Sequence, residues 1–197
     1  MPAPHFNART DHNTLQFLDE ALRRLQDRNT TTQAVGETIR EIYAVLHVRR
    51  TASSPREWAQ FIQNARQHPI CEALHQDAFT RRAFDKPRGY AGDAALLDHM
   101  YATEHGWSPP EMTWLGQRIY RWTTYCSACE GVKARREIIA DMIDEISRDR
   151  RDSEVLSLAA GHMREAEFSK AIIRNRLDRA VAVDSDEHSL QLIDRDY

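Results

Sequence analysis

The chain has 197 residues and a formal net charge of −3, enough for one large domain or for a helical module joined to part of another. With 41% hydrophobic and 29% charged residues and only 7 Gly and 7 Pro, it reads as a soluble globular protein and not as a low-complexity chain. The acidic balance speaks against a sequence-independent grip on nucleic acid, and no apolar run approaches the roughly 18–20 residues of a membrane span. Three cysteines, Cys71, Cys126 and Cys129, are too few and odd in number for a disulfide framework. The opening MPAPHFNARTDHN lacks a secretory pattern, so the expected location is cytoplasmic.

In chain order, Thr14 is placed to cap a helix whose apolar positions Leu15, Leu18, Leu22 and Leu25 recur at spacings of three and four. Thr32 starts a second helix, with Val35, Ile39, Ile42, Tyr43 and Leu46 along one face. Ser54-Pro55 is a cap and first-turn pair for a third, which buries Trp58, Phe61, Ile62 and Ala65. His68-Pro69 breaks it, and a shorter helical piece carries Ile70, Leu74 and Phe79. FDKPRGYAGD, residues 84–93, is a loop by its turn chemistry, and a helical pattern resumes over residues 94–101. Residues 106–110 break the pattern again.

Met112, Leu115, Ile119, Trp122 and Cys126 then form a stripe, and Gly131 separates it from a helix bearing Val132, Ile138, Ile139, Met142, Ile143 and Ile146. SRDRRDSE, residues 147–154, is a charged surface connector. Beyond it the chain changes character. Val155 to Leu158 reads as a buried strand stopped at Gly161, residues 164–175 as a helix, Val181 to Val183 as a second strand ended by Asp184, and residues 187–194 as another helix. Strand, glycine turn, helix, strand, acid, helix is the order of a βαβ unit.

Such a unit has a crevice at the C-terminal ends of its strands, where Gly161 lets a ligand approach the backbone. The helix behind it offers unpaired N–H groups and a positive dipole end. Asp184 is placed to accept hydrogen bonds from both hydroxyls of a ribose. A dinucleotide wants G-x-G-x-x-G, whereas SLAAGHM, residues 157–163, has one glycine. A pyrophosphate is therefore disfavoured, and S-adenosylmethionine, which has no phosphate, suits the site better.

The stretch resembles the first motif of the class I S-adenosylmethionine-dependent methyltransferases, commonly acidic-x-Gly-x-Gly-x-Gly. Gly161 takes the middle glycine, Ala159 and Met163 replace the outer two, and Ser157 replaces the acid. Residues 181–190 are similar to the second motif, with Asp184 as the ribose-binding acid. KPRGYAGD, residues 86–93, and SLAAGHMREAE look like segments of a bacterial subgroup associated with 3-hydroxypalmitic acid methyl ester synthesis. The resemblance covers roughly residues 80–197.

It implies a mostly α N-terminal domain over residues 1–150, followed over 151–197 by the first βαβ unit of a Rossmann-like α/β methyltransferase fold. A full class I sheet has about seven strands, so on the order of 100 further residues are expected. The chain is read as incomplete, with little activity alone. The implied function is transfer of a methyl group from S-adenosylmethionine to a small molecule such as a carboxylic or hydroxy fatty acid.

Cofactor contacts fall on Ala159, Gly161, Glu165 and Asp184, with Glu165 reaching the cofactor's amino group. Arg88, Tyr90 and Asp93 line the substrate or cofactor pocket, and no catalytic residue is assigned. Each has a plainer role available: Asp93 as the cap of the following helix, Lys86 and Arg88 in solvent, Glu165 favouring a helix start, and His162 as an ordinary histidine instead of a base. Cys126 and Cys129 are a single C-x-x-C pair without the partners zinc needs, so small core residues are expected and no metal is implied. Trp58, Trp107, Trp114 and Trp122 read as core or contact residues. Two other readings stand beside the methyltransferase: an NAD-binding oxidoreductase with an atypical turn, and a non-enzymatic helical interaction module.

Overall fold

A computed structural model describes residues 10–105, 111–150 and 152–197. The expected break at residues 106–110, Trp107 with it, and Arg151 of the charged connector lie outside the described residues. The protein is mostly helical, with a small two-stranded parallel sheet near its C-terminus. It divides into two compact units, one drawn from residues 1–81 and 109–123, the other from 82–108 and 124–197.

The first unit starts with α1 (Asp11–Gln26) and α2 (Thr32–Thr51). Thr10, four residues ahead of the expected Thr14, caps α1, accepting from the Asn13 N–H at 3.3 Å. Thr14 is instead fully buried inside the first turn, its hydroxyl donating back to the Thr10 carbonyl at 2.9 Å. Thr31 caps α2, which begins at Thr32 as the pattern predicts. α3 (Pro55–Arg66) follows a full capping box, Ser54 accepting from Glu57 while the Glu57 carboxylate accepts the Ser54 N–H at 2.8 Å.

Next come α4 (Ile70–Leu74), α5 (Ala78–Asp85), α6 (Ala94–Tyr101) and α7 (Trp114–Thr124). The core of the first unit joins Leu18, Ala21 and Leu25 of α1 to Val35 and Ile42 of α2, Ile70 and Ala73 of α4, and Leu115 and Ile119 of α7. Each fully buried Leu or Ile there contributes about 1.5–3 kcal/mol. Tyr43, expected on the buried face of α2, is 73% exposed. Gly116 of α7 is demanded by packing, since a Cβ there would sit 2.1 Å from the Gln76 carbonyl oxygen.

The second unit is built from α6, α8 (Ser127–Asp149), β1 (Glu154–Leu158), a 3-10 turn (Arg164–Glu167), α9 (Lys170–Ile173), β2 (Arg179–Val183) and α10 (Glu187–Asp196). β1 and β2 pair in parallel, from Glu154 opposite Arg179 to Leu158 opposite Val183. A domain line at residue 150 separates the strands from the helices before them, whereas in the structure α6 and α8 belong with the sheet. The reason is contact: α8 packs on both the 3-10 turn and α9.

Gly131 does not separate two helices; the break falls at Tyr125-Cys126, with Cys126 extended ahead of α8, and Gly131 lies inside that helix. Of the apolar residues read onto α8, Ile143 is buried and Val132 and Ile139 are half-buried. Ile138, Met142 and Ile146 are 57–58% exposed, while the buried face is Cys129, Lys133, Arg136, Ala140 and Ile143. Two cations occupy that face because aromatic rings receive them. Lys133 Nζ lies 4.4 Å from the Tyr125 ring, and the Arg136 guanidinium 3.8 Å from Tyr101 and 4.9 Å from Phe168.

The helix expected over residues 164–175 is two short pieces. Ser169 interrupts it by capping α9, and the Asp144 carboxylate accepts from the Ser169 hydroxyl and from the N–H groups of Lys170 and Ala171 at 2.8–3.1 Å. The supposed dipole end behind Gly161 is therefore a single 3-10 turn. β1 is not a buried strand either: Leu156 and Leu158 are 62% and 70% exposed, and their neighbour Val183 is 47% exposed. Among the described residues no helix is long and apolar enough to cross a membrane.

Candidate functional site

The site is assembled where β1 and β2 end side by side. After Leu158 the chain makes a tight turn in which three alternate residues adopt the left-handed conformation: Ala159 at φ +53°, Gly161 at +56° and Met163 at +49°. Such angles are cheap for glycine and cost other L-residues roughly 1–2 kcal/mol each. Gly161 is doubly constrained, because a Cβ there would stand 3.2 Å from the Ala94 methyl at the start of α6. The neighbour that would have to give way to a side chain is thus another part of the protein.

Asp184, directly after β2, holds this turn. Its Oδ2 accepts the Gly161 N–H at 2.7 Å and its Oδ1 accepts the Asp186 N–H at 2.8 Å. The Ala160 N–H donates to the Val183 carbonyl at 3.2 Å, so the turn is tied to β2 at two points. Each carboxylate oxygen retains a second lone pair. Two segments twenty-three residues apart are joined at one edge.

The loop of residues 86–93 meets this edge through Arg88. Expected in solvent or on a substrate, Arg88 instead has a side chain only 19% exposed. Its Nη1 donates to Asp186 Oδ2 at 2.5 Å and to the Ser189 hydroxyl at 3.1 Å, and lies 3.4 Å from His162 Nε2. Lys86 does lie at the surface. Tyr90 is 44% exposed. Burial and then the nearby carboxylates of Asp184, Asp186 and Asp93 push its phenol above the usual range. Tyr90 thus stands beside the edge that carries Asp184.

Asp93 has gone fully into structure. It is 1% exposed, caps α6 by accepting the Leu96 N–H at 2.8 Å, and takes a two-pronged bond from Arg82, each arm 2.8 Å. Burial alone would raise its pKa, but the Arg82 and Leu96 bonds hold it below the ordinary carboxylate value. No lone carboxylate is left there for chemistry.

His162, which follows Gly161, is 5% exposed, with Nδ1 2.8 Å from Asp98 Oδ2. Arg164 binds the same carboxylate with Nε at 3.0 Å and Nη2 at 2.9 Å. Sequence reasoning missed Asp98, because nothing in LLDHMY marks one acid of a helix as the partner of residues some sixty positions later. With Arg88 facing Nε2, the surrounding groups assign the His162 proton to Nδ1. The ring then bridges Arg88 to Asp98 and has no open nitrogen for a base.

A pocket of about 230 Å³ opens beside the turn. Ala159, Gly161, His162 and Glu165 line it from one element group, Asp98 and Tyr101 from α6, and Arg135 and Arg136 from α8. Glu165 is half-buried there, whereas Asp184, Arg88, Tyr90 and Asp93 are not among its lining residues. Of the expected contacts, the structure brings Ala159, Gly161 and Glu165 to one cavity and Asp184 to the back of the same turn. The two arginines of α8 were not foreseen, since their chain neighbours read as an ordinary charged surface.

Cys129 is buried, and its thiol is pushed up to about 12, chiefly by burial and then by the adjacent Cys126 sulfur. Among the described residues no three His, Cys, Asp or Glu side chains gather as metal ligands. No family model matches the chain, and no curated protein or solved structure matches it significantly.

Proposed function

We propose that the second unit binds S-adenosylmethionine and belongs to a methyltransferase that acts on a small-molecule acid. One observation carries the reading: the positions where the resembled motif has its three glycines, 159, 161 and 163, are the three left-handed residues of the turn. The acid of the resembled second motif, Asp184, is bonded to the middle one. Parallel β1 and β2, joined through the 3-10 turn and α9, would then be the opening βαβ unit of a Rossmann-like sheet. Ala159, Gly161 and Glu165 would face the cofactor from the turn, with the free lone pairs of Asp184 taking the ribose hydroxyls.

The chemistry asks little of the protein. Bound S-adenosylmethionine would supply the methyl group: a carboxylate oxygen would take it in line as the carbon–sulfur bond broke, the electron pair leaving on a neutral thioether. A carboxylate needs no base, so the catalytic contribution is alignment and exclusion of water. That fits a site in which His162 and Asp98 are already committed to each other.

Calorimetric titration of the full chain with S-adenosylhomocysteine and, separately, NADH tests the reading. Binding of S-adenosylhomocysteine that Asp184→Ala abolishes is the expected result. Preference for NADH would replace it with the oxidoreductase, and heat from neither ligand would overturn both.

A further inference from the structure

We infer that Cys126 and Cys129 are a redox pair, which a low-molecular-weight disulfide such as oxidised glutathione closes into an intramolecular disulfide across the first turn of α8. The start of this helix is unlike most others in the protein. α1, α2, α3, α6, α9 and α10 each begin on a Ser, Thr or Asp side chain that accepts a backbone N–H. α8, at 23 residues the longest helix among the described residues, begins on Cys126, whose side chain makes no such bond. A side chain at this place folds over the first turn toward the third helical residue, and that residue is Cys129. There the Cys126 side chain is a hydrogen-bond partner of the Cys129 thiol. Residues three apart on a helix have Cβ atoms about 5–6 Å apart, so a small adjustment reaches the roughly 3.5–4.5 Å of a disulfide.

The two sulfurs differ in access, since Cys126 is half-buried and Cys129 is 7% exposed. An oxidant therefore meets Cys126 first. The Cys126 thiolate attacks one sulfur of oxidised glutathione, the glutathione S–S bond breaks, and one glutathione leaves and takes up the proton that Cys126 gave away. Cys129 then attacks the Cys126 sulfur of the mixed disulfide, and the second glutathione leaves with the Cys129 proton. Two cysteine thiols are oxidised by two electrons, and one glutathione disulfide is reduced to two thiols. In a reducing compartment such a pair rests as thiols and closes when the level of small disulfides rises. Neither step involves an adenosyl ligand, so the pair stands apart from the cofactor reading above.

The test holds the full chain overnight in buffers of oxidised and reduced glutathione, quenches it in acid and analyses it intact by mass spectrometry, with peptide mapping to place any new bond. Cys71, in the first unit, serves as the internal control. The expected result is a Cys126–Cys129 disulfide, seen as the loss of two hydrogens, in about nine-tenths of molecules under oxidised glutathione and reopened by reduced glutathione. In Cys129→Ser the reaction should stop with one glutathione on Cys126, and in Cys126→Ser Cys129 should stay a thiol. Should either variant fail to fold, the unaltered chain alone decides. Glutathione that remains on Cys126 of the unaltered chain, disulfide-linked dimers, or both sulfurs left as thiols would each overturn the pair.

Discussion

The Gly161 N–H donates to Asp184 Oδ2 at 2.7 Å, joining the end of β1 to the end of β2 through a side chain as well as through the sheet. Asp184→Ala would strip acceptors from both the Gly161 and Asp186 N–H groups. The expected loss is about 1–3 kcal/mol of stability, because the orphaned donors are partly shielded from water. Asp184→Asn keeps one oxygen acceptor and should lose roughly half as much. Urea unfolding of the three proteins decides it; identical midpoints would mean that the carboxylate does not hold the turn.

Ala159 is a non-glycine residue at φ +53°, and it is exposed. Ala159→Gly removes a strained Cβ without opening a cavity, at the expense of a more flexible unfolded chain. The strain relieved exceeds that entropy, so a net gain of about 0.5–1 kcal/mol is expected. It should show as a higher urea midpoint with an unchanged m-value. Met163→Gly relieves the same strain but empties a buried position, 5% exposed, and should therefore destabilise.

Burial would raise the pKa of Asp98, but the bonds from Arg164 and His162 carry it below the ordinary carboxylate value. The native state then binds fewer protons than the unfolded chain in that range. The resulting stability is complete above about pH 4, the unfolded carboxyl value, and is lost as pH falls through the lowered native one. In Asp98→Asn that share is absent at every pH. Its stability profile should fall less steeply in acid, by up to about 1.4 kcal/mol per pH unit. Parallel profiles for the two proteins between pH 5 and 3 would refute the linkage.

Local chemistry made much of this molecule legible. Ser54-Pro55 and the Asp93 cap carry their signals within a few positions, and the structure has them where the sequence places them; the loop read over residues 84–93 begins only after α5 ends at Asp85. The short strands and the acid ending the second were legible for the same reason. What failed depended on partners distant in sequence. Lys133 and Arg136 are buried because aromatic rings from other elements receive them, and a hydrophobic pattern assigns such residues to solvent. The helix over residues 164–175 breaks because Asp144 on α8 captures the Ser169 turn. Arg88 is drawn out of water by Asp186, almost a hundred positions later.

Cys126 and Cys129 offer a check on α8 that needs no ligand. Cys129 is 7% exposed, and its thiol is pushed up to about 12, first by burial and then by the neighbouring Cys126 sulfur. At pH 8 the thiol form then prevails over the thiolate, the only reactive form. Iodoacetamide should leave Cys129 unmodified in the native protein and alkylate it within minutes in urea. Mass spectrometry of tryptic peptides reads each cysteine separately. Cys126→Ser removes the contribution of the neighbouring sulfur but not the burial, the largest cause, so Cys129 should remain protected in that variant. Rapid native labelling of Cys129 would mean that the first turn of α8 opens, and that its buried face, Arg136 included, is not held as described.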